Sequence, residues 1–238
     1  MTGSPDTIHQ RGRDAVLAGR ALLDDPPAPG GTRWGLSLVA RPDAAAAGQL
    51  QALAAEAAAL AGPGQWVTAS PGSMHLTVTY LERTHRDVGA DDVEVRRFVD
   101  VVRALAADVP PLRWRVTGLA LADRGVLALA EPVDGAADAF RDRVLRELDE
   151  VGRAEAYYRS SVWWATLVHF AAPVADPAAL AAWVDARTMP SAIPAVAVTA
   201  DSIDVVRYEY DGARTVPVTL AAAALTGVPE GATDGAQA

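Results

Sequence analysis

The chain is 238 residues long, half of them hydrophobic but only 6% aromatic, with no cysteine, lysine or asparagine and a formal charge of −9 at neutral pH. Without cysteine there is no disulfide, thiolate nucleophile or cysteine zinc site, and without lysine no Schiff base and no Walker-type phosphate loop. The acidic balance argues against long nucleic acid as a partner while leaving room for a small phosphate ester in a local arginine-lined groove. No apolar run reaches the length of a membrane span, and the N-terminus lacks the basic-then-apolar pattern of a secretory signal, so a cytoplasmic protein without a membrane partner is expected.

In chain order, residues 6–24 suggest a helix with Ile8, Val16, Leu17 and Leu23 as its apolar points, interrupted by Gly12 and Gly19. The following Asp25-Pro-Pro-Ala-Pro-Gly-Gly31 has linker composition, so 1–31 is expected to form a peripheral helix and linker. Residues 34–40 read as a buried strand and 43–61 as an Ala/Leu-rich helix closed by Gly62-Pro63-Gly64. A short strand at 66–69 precedes the Pro71-Gly72 turn.

The most informative stretch is Ser-Met-His-Leu-Thr-Val-Thr-Tyr-Leu at 73–81. With period two, Met74, Leu76, Val78 and Tyr80 share one strand face and His75, Thr77 and Thr79 the other. That pattern describes a strand buried on one side and lining a polar groove on the other. An imidazole and a hydroxyl two residues apart, about 7 Å along a strand, can grip one small anion together. A solvated strand face is the ordinary alternative for the same pattern.

A charged loop at 82–91 leads to a helix at 92–109, with Val95, Phe98, Val99, Val102 and Leu105 inward. Strands 112–122 and 126–130 flank the hairpin turn Asp123-Arg124-Gly125. A helix at 135–151, a strand at 161–170, a helix at 176–187 and a hairpin of 203–210 with 215–220 complete the pattern, and 225–238 is expected to be a mobile tail. The fold class is therefore α+β, with mostly antiparallel sheets in a single domain over 32–224. Each half runs a helix through a loop into a strand carrying a threonine, Thr77 in the first and Thr166 in the second.

These features resemble the two-histidine phosphoesterases, which include bacterial and archaeal 2′-5′ RNA ligase-like and cyclic phosphodiesterase proteins. That family carries two His-x-Thr motifs, one on a strand of each lobe of a bilobal, pseudo-two-fold fold whose sheets line a central groove with helices outside. His75-Leu76-Thr77 matches the first motif, and the element order matches from about 33 to 220. In the second half Trp164-Ala165-Thr166 stands where the second motif belongs, so a tryptophan replaces its histidine. His169 follows three residues after Thr166 and in a regular strand would face away; only a bulge would swing it into the groove.

The resemblance implies metal- and cofactor-independent acid–base chemistry at phosphorus. His75, Thr77, Thr166 and His169 are then the catalytic candidates, and Trp164, Thr79, Tyr158 and Arg159 the candidates for binding a small, nucleotide-like substrate. Trp164 could stack on a nucleobase, and Arg159 could supply a phosphate fork. Trp114, Arg115, Arg207 and Tyr208 could also reach the groove, although solvated strand faces are the favoured reading for them, and His9 and His85 read as surface residues. Three functions stay open: hydrolysis of a small nucleotide-type or cyclic phosphodiester, a different acid–base reaction on an apolar or aromatic small molecule, and ligand binding without catalysis.

Overall fold

The computed structural model describes residues 4–68, 70, 72–82, 84–150 and 162–228. Its helices are α1 (Pro5–Leu17), α2 (Ala44–Ala61), α3 (Val93–Ala106), α4 (Ala136–Glu150) and α5 (Pro177–Asp185). Its strands are β1 (Ser37–Ala40), β2 (Trp66–Val67), β3 (Leu76–Tyr80), β4 (Leu112–Ala122), β5 (Gly125–Pro132), β6 (Trp163–His169), β7 (Ala197–Ala200), β8 (Ser202–Tyr210) and β9 (Thr215–Ala224). No described helix is long and apolar enough to cross a membrane.

The helices begin where their caps dictate. Asp43, Asp92 and Asp176 each accept a hydrogen bond from a backbone N–H in the first turn of α2, α3 and α5, which satisfies donors that have no partner within the helix. The expected helix at 6–24 is shorter, running from its Ser4 cap to Leu17. Gly12 weakens that helix intrinsically, yet its place is set by packing. A Cβ there would lie 2.5 Å from the backbone carbonyl of Leu121 on β4, so only glycine lets the helix lie flat on the strand.

The strands run in the order β7-β4-β5-β6-β3-β1-β8-β9, with β2 added to β6, and every pair is antiparallel. Four strands lie on each side of the β3/β6 joint, which makes the fold α+β and bilobal with pseudo-two-fold symmetry. The joint itself is a single register pair, Leu76 with Ala165, so the two motif strands touch briefly and then part. The sheet curls into a half-barrel around the groove left between them. Helices α2 to α5 cover its outer side, where Leu50, Phe98, Phe140 and Leu180 belong to one buried apolar cluster that also takes in Leu38, Leu76 and Leu167 of the sheet, while α1 lies on the groove face.

The first 31 residues pack more tightly than a peripheral segment would. Ile8 and Val16 of α1 are buried, and Ile8 joins Ala120, Leu127, Leu129 and Trp164 in a second apolar cluster over β4, β5 and β6. His9 ties the helix down as well, donating to Asp185 at 2.9 Å and accepting from the Leu121 N–H at 3.2 Å. At the other end, Leu225 is buried and Gly227 donates to the Val109 carbonyl at 2.9 Å. The remainder of the expected tail, from 229 onward, lies outside the described residues.

Candidate functional site

A groove of about 450 Å³ opens at the joint of the two lobes. His75, Thr77, Trp164, Thr166 and His169 all line it, together with Tyr80, Tyr208, Trp34 and the guanidinium groups of Arg11, Arg33 and Arg124. The antiparallel register explains the first four. With Leu76 opposite Ala165, His75 faces Thr166 across the strands and Thr77 faces Trp164, all four on one side.

His169 reaches the same side through an irregularity. Val126 of β5 pairs with Val168 and the next residue, Leu127, with Thr166, so Leu167 is an extra residue on β6. Such a bulge shifts side-chain parity by one. Leu167 and Val168 are consequently both buried, while Thr166 and His169 both face the groove.

β3 carries the same irregularity at the same place. Leu38 of β1 pairs with Thr79 and Val39 with Thr77, which leaves Val78 as the extra residue. This overturns the expectation for Thr79. Beyond the bulge the parity flips, so Thr79 is buried at 1% exposure and donates to the adjacent Tyr80 carbonyl, while Tyr80 turns into the groove. The pseudo-two-fold axis therefore relates His75 to Trp164, Thr77 to Thr166, Val78 to Leu167 and Tyr80 to His169.

Each histidine is held by its Nδ1. His75 Nδ1 donates to the Ser73 carbonyl at 2.8 Å, which leaves Nε2 as the bare nitrogen, 3.4 Å from the Tyr208 hydroxyl. Arg41 braces the turn in front of it, donating to the Gly72 carbonyl while bonded to Asp204 at 3.0 Å and Thr219 at 3.1 Å. Burial pulls the His75 imidazole from its ordinary 6.5 down to about 4, reinforced by the nearby positive groups Arg41 and His169. His75 is thus neutral, with a lone pair available, over the whole physiological range. Burial also raises the phenols of Tyr80 and Tyr208, which stay protonated hydrogen-bond donors.

His169 Nδ1 lies 3.1 Å from Oδ2 of Asp24, a carboxylate with no solvent exposure. Asp24 also takes Arg33 at 2.7 Å and Arg124 at 3.1 Å, so two guanidiniums and an imidazole surround one buried negative charge. Trp34 closes this corner. Its ring centroid is 5.1 Å from His169 and 5.4 Å from Tyr208, and the Arg33 guanidinium lies 4.9 Å from it. Expected inside a strand, Trp34 instead sits in the loop before β1 with φ of 63°, a left-handed conformation unusual for a bulky residue. Its indole N–H donates to the Asp25 carbonyl, and its own carbonyl accepts from His85, which is buried rather than on the surface.

Other expectations resolve plainly. Trp163 and Trp114 are core residues, their ring centroids 5.2 Å apart, and Arg115 is exposed beside Glu131. Tyr208 does reach the groove, whereas Arg207 pairs with Asp87 and Glu209. Tyr158 and Arg159 lie outside the described residues. Asp24, Arg33, Trp34, Tyr80 and Arg124 were not singled out by sequence; the one visible hint was a tryptophan and an arginine at the edge of a Pro/Gly-rich stretch.

No family model matches the sequence, and no curated protein matches it. Solved structures do match. TT0787 of Thermus thermophilus superposes with a TM-score of 0.60 at 16% identity, over 81% of this chain and 98% of that one. E. coli LigT in its apo form gives 0.53 at 12% identity, over 81% and 98%. The chain has the LigT-like, two-histidine phosphoesterase fold. A further structure described as a phosphoesterase agrees, with a TM-score of 0.52 at 13% identity over 84% and 99% of the two chains, and E. coli LigT has also been solved complexed with 3′-AMP. On this fold His75-Leu76-Thr77 and Trp164-Ala165-Thr166 occupy equivalent strand positions, and His169 lines the groove five residues after Trp164.

Proposed function

We propose that the groove hydrolyses a small nucleotide-type or cyclic phosphodiester with two histidines as proton carriers. The observation that carries this reading is the convergence of His75, His169, Thr77 and Thr166 with Arg11, Arg33 and Arg124 on one cavity of mononucleotide size. In this scheme His75 Nε2 takes a proton from a water whose oxygen attacks phosphorus. Thr77 and Thr166 donate to the non-bridging oxygens, and the arginines offset the phosphate charge. His169 gives its proton to the leaving oxygen as the P–O bond breaks, so one proton enters at one histidine and one leaves from the other.

The LigT-like fold, and the binding of 3′-AMP by E. coli LigT, support a nucleotide-like ligand. Trp164 favours a second reading, in which a non-phosphate aromatic molecule occupies the same groove. The phosphate reading is preferred because Asp24 alone pairs with both Arg33 and Arg124, which leaves this corner of the groove with more positive than negative charge, while Arg11 is matched by Asp123.

The test is hydrolysis of a 2′,3′-cyclic nucleotide by the wild type and by His75→Ala. The expected loss is about 10²–10⁴-fold in kcat/KM, the usual contribution of one proton-transfer group. Equal rates for the two proteins would refute the reading. Saturable nucleotide binding that survives His75→Ala without turnover in either protein would assign the groove to binding alone.

A further inference from the structure

We propose that Asp24 is the positioning residue of a histidine–carboxylate pair that makes His169 the second proton carrier of the groove. This inference rests on the phosphodiester reading for the chemistry and on independent geometry for the pairing.

The geometry begins with the backbone. Leu22 N–H donates to the Asp123 carbonyl at 2.8 Å, and Asp24 N–H donates to the carbonyl of Phe170, the residue after His169, at 2.7 Å. Arg124 closes the other side, donating to the Leu23 carbonyl at 2.7 Å. The segment 22–24 is therefore clipped to both the β4–β5 turn and the end of β6, and the Asp24 carboxylate is delivered to the His169 ring by main-chain bonds. Phe170 N–H in turn donates to the Arg124 carbonyl at 2.8 Å, which fixes the two receiving elements to each other.

The chemistry follows from what a carboxylate can accept. Asp24 Oδ2 can only accept, so the hydrogen bond comes from His169 Nδ1–H and the ring is held with Nε2 left to exchange a proton with a substrate. A purely structural role, neutralising Arg33 and Arg124, needs no buried partner. Both arginines are substantially exposed, at 41% and 34%, and water can solvate them. The charged and titratable groups facing His169 in the groove include Asp24 of the N-terminal segment, Arg33 before β1, Arg124 of the β4–β5 turn, His75 and Tyr80 of β3 and Tyr208 of β8, with Arg11, Glu82 and Asp123 in the same lining.

The pairing also explains how the second half can operate with Trp164 in place of a histidine. Trp164 is packed against Ile8, Leu127 and Leu129 and carries no group that exchanges a proton at neutral pH, whereas position 169, beyond the bulge at Leu167, faces the same cavity.

Two measurements on the full-length protein test the proposal. Long-range ¹H–¹⁵N spectra of the wild type read the His169 tautomer directly, and the Nδ1–H form is expected at pH values where the ring is neutral. In the second, Asp24→Asn, His169→Ala and the double variant are compared on a 2′,3′-cyclic nucleotide. Each single change is expected to lower kcat by about 10²-fold with little change in KM, and the double variant to fall no further than His169→Ala alone. An Nε2–H tautomer in the wild type, or losses that multiply in the double variant, would overturn the pairing. If Asp24→Asn does not fold, the wild-type tautomer still decides it. If no variant and no wild type turns over the nucleotide while the Nδ1–H tautomer is found, the phosphodiester reading fails and the pairing stands.

Discussion

The depressed pKa of His75 gives a pH profile that an ordinary histidine base would not produce. With a value of about 4 instead of 6.5, the ring is mostly unprotonated at pH 5. An imidazole at 6.5 would be only a few per cent unprotonated there, so kcat/KM at pH 5 should exceed the ordinary case by about 30-fold. The acid limb of kcat/KM should therefore lie near pH 4. Tyr208 separates the causes, because its ring helps bury His75 while its hydroxyl meets Nε2 at 3.4 Å. Tyr208→Phe keeps the burial and should leave the limb near 4. Tyr208→Ala admits water and should move it upward, by at most the difference between about 4 and 6.5. The same shift makes stability pH-dependent. The folded pKa lies below the unfolded one, so between pH 6.5 and 4 the unfolded chain binds more protons and the folded state is lost progressively on acidification. Because His75 keeps some solvent contact at the groove, the contribution lost by pH 4 is no more than about 3 kcal/mol. Rate profiles from pH 3.5 to 8, with an NMR titration of the His75 ring, measure both effects. A wild-type limb near 6.5, or a Tyr208→Ala limb that does not rise, would refute desolvation as the cause.

Two further expectations concern the framework. Ile8→Ala should cost about 2–4 kcal/mol in denaturant unfolding, since Ile8 is wholly buried against the sheet; a cost near zero would mean that α1 does not pack as described. Gly125→Ala places a Cβ 2.1 Å from the Val168 carbonyl oxygen, beside the bulge, and should destabilise by at least about 1–3 kcal/mol while lowering activity through His169. An unchanged melting temperature in that variant would contradict the β5–β6 register.

Much of the fold was legible in the sequence because local signals agreed with the tertiary answer. The Gly62 stop, the Asp123-Arg124-Gly125 turn and the apolar spacing of α3 each fix an element without knowledge of its neighbours. The first His-x-Thr motif was visible for the same reason. What stayed hidden was non-local. A bulge leaves no mark in the identities of Val78 or Leu167, which are ordinary buried strand residues, so strict alternation placed Thr79 in the groove and Tyr80 out of it. Asp24 was invisible because Arg124 and His169 lie 100 and 145 residues away from it and its own surroundings read as a linker. Gly12, taken alone, reads as a helix defect; only the approach of Leu121 gives it a reason.

The repeated bulge also bears on how the two halves divide the chemistry. Because β3 and β6 carry it at the same offset from their threonines, position 169 faces the groove for the same geometric reason as position 80, whatever residue occupies it. A histidine at 169 thus requires no rebuilt backbone, only a carboxylate to orient it, and segment 22–24 supplies one. The symmetric position in the first half holds a tyrosine, and the symmetric partner of His75 holds a tryptophan. Each half then contributes one imidazole from a different rung of the same ladder. His75 is anchored by a backbone carbonyl and His169 by a carboxylate, so the proposed reaction assigns the proton acceptor to the first and the proton donor to the second. Under the proposed hydrolysis that asymmetry would give the groove a direction, with the attacking water on the β3 side and the leaving oxygen on the β6 side.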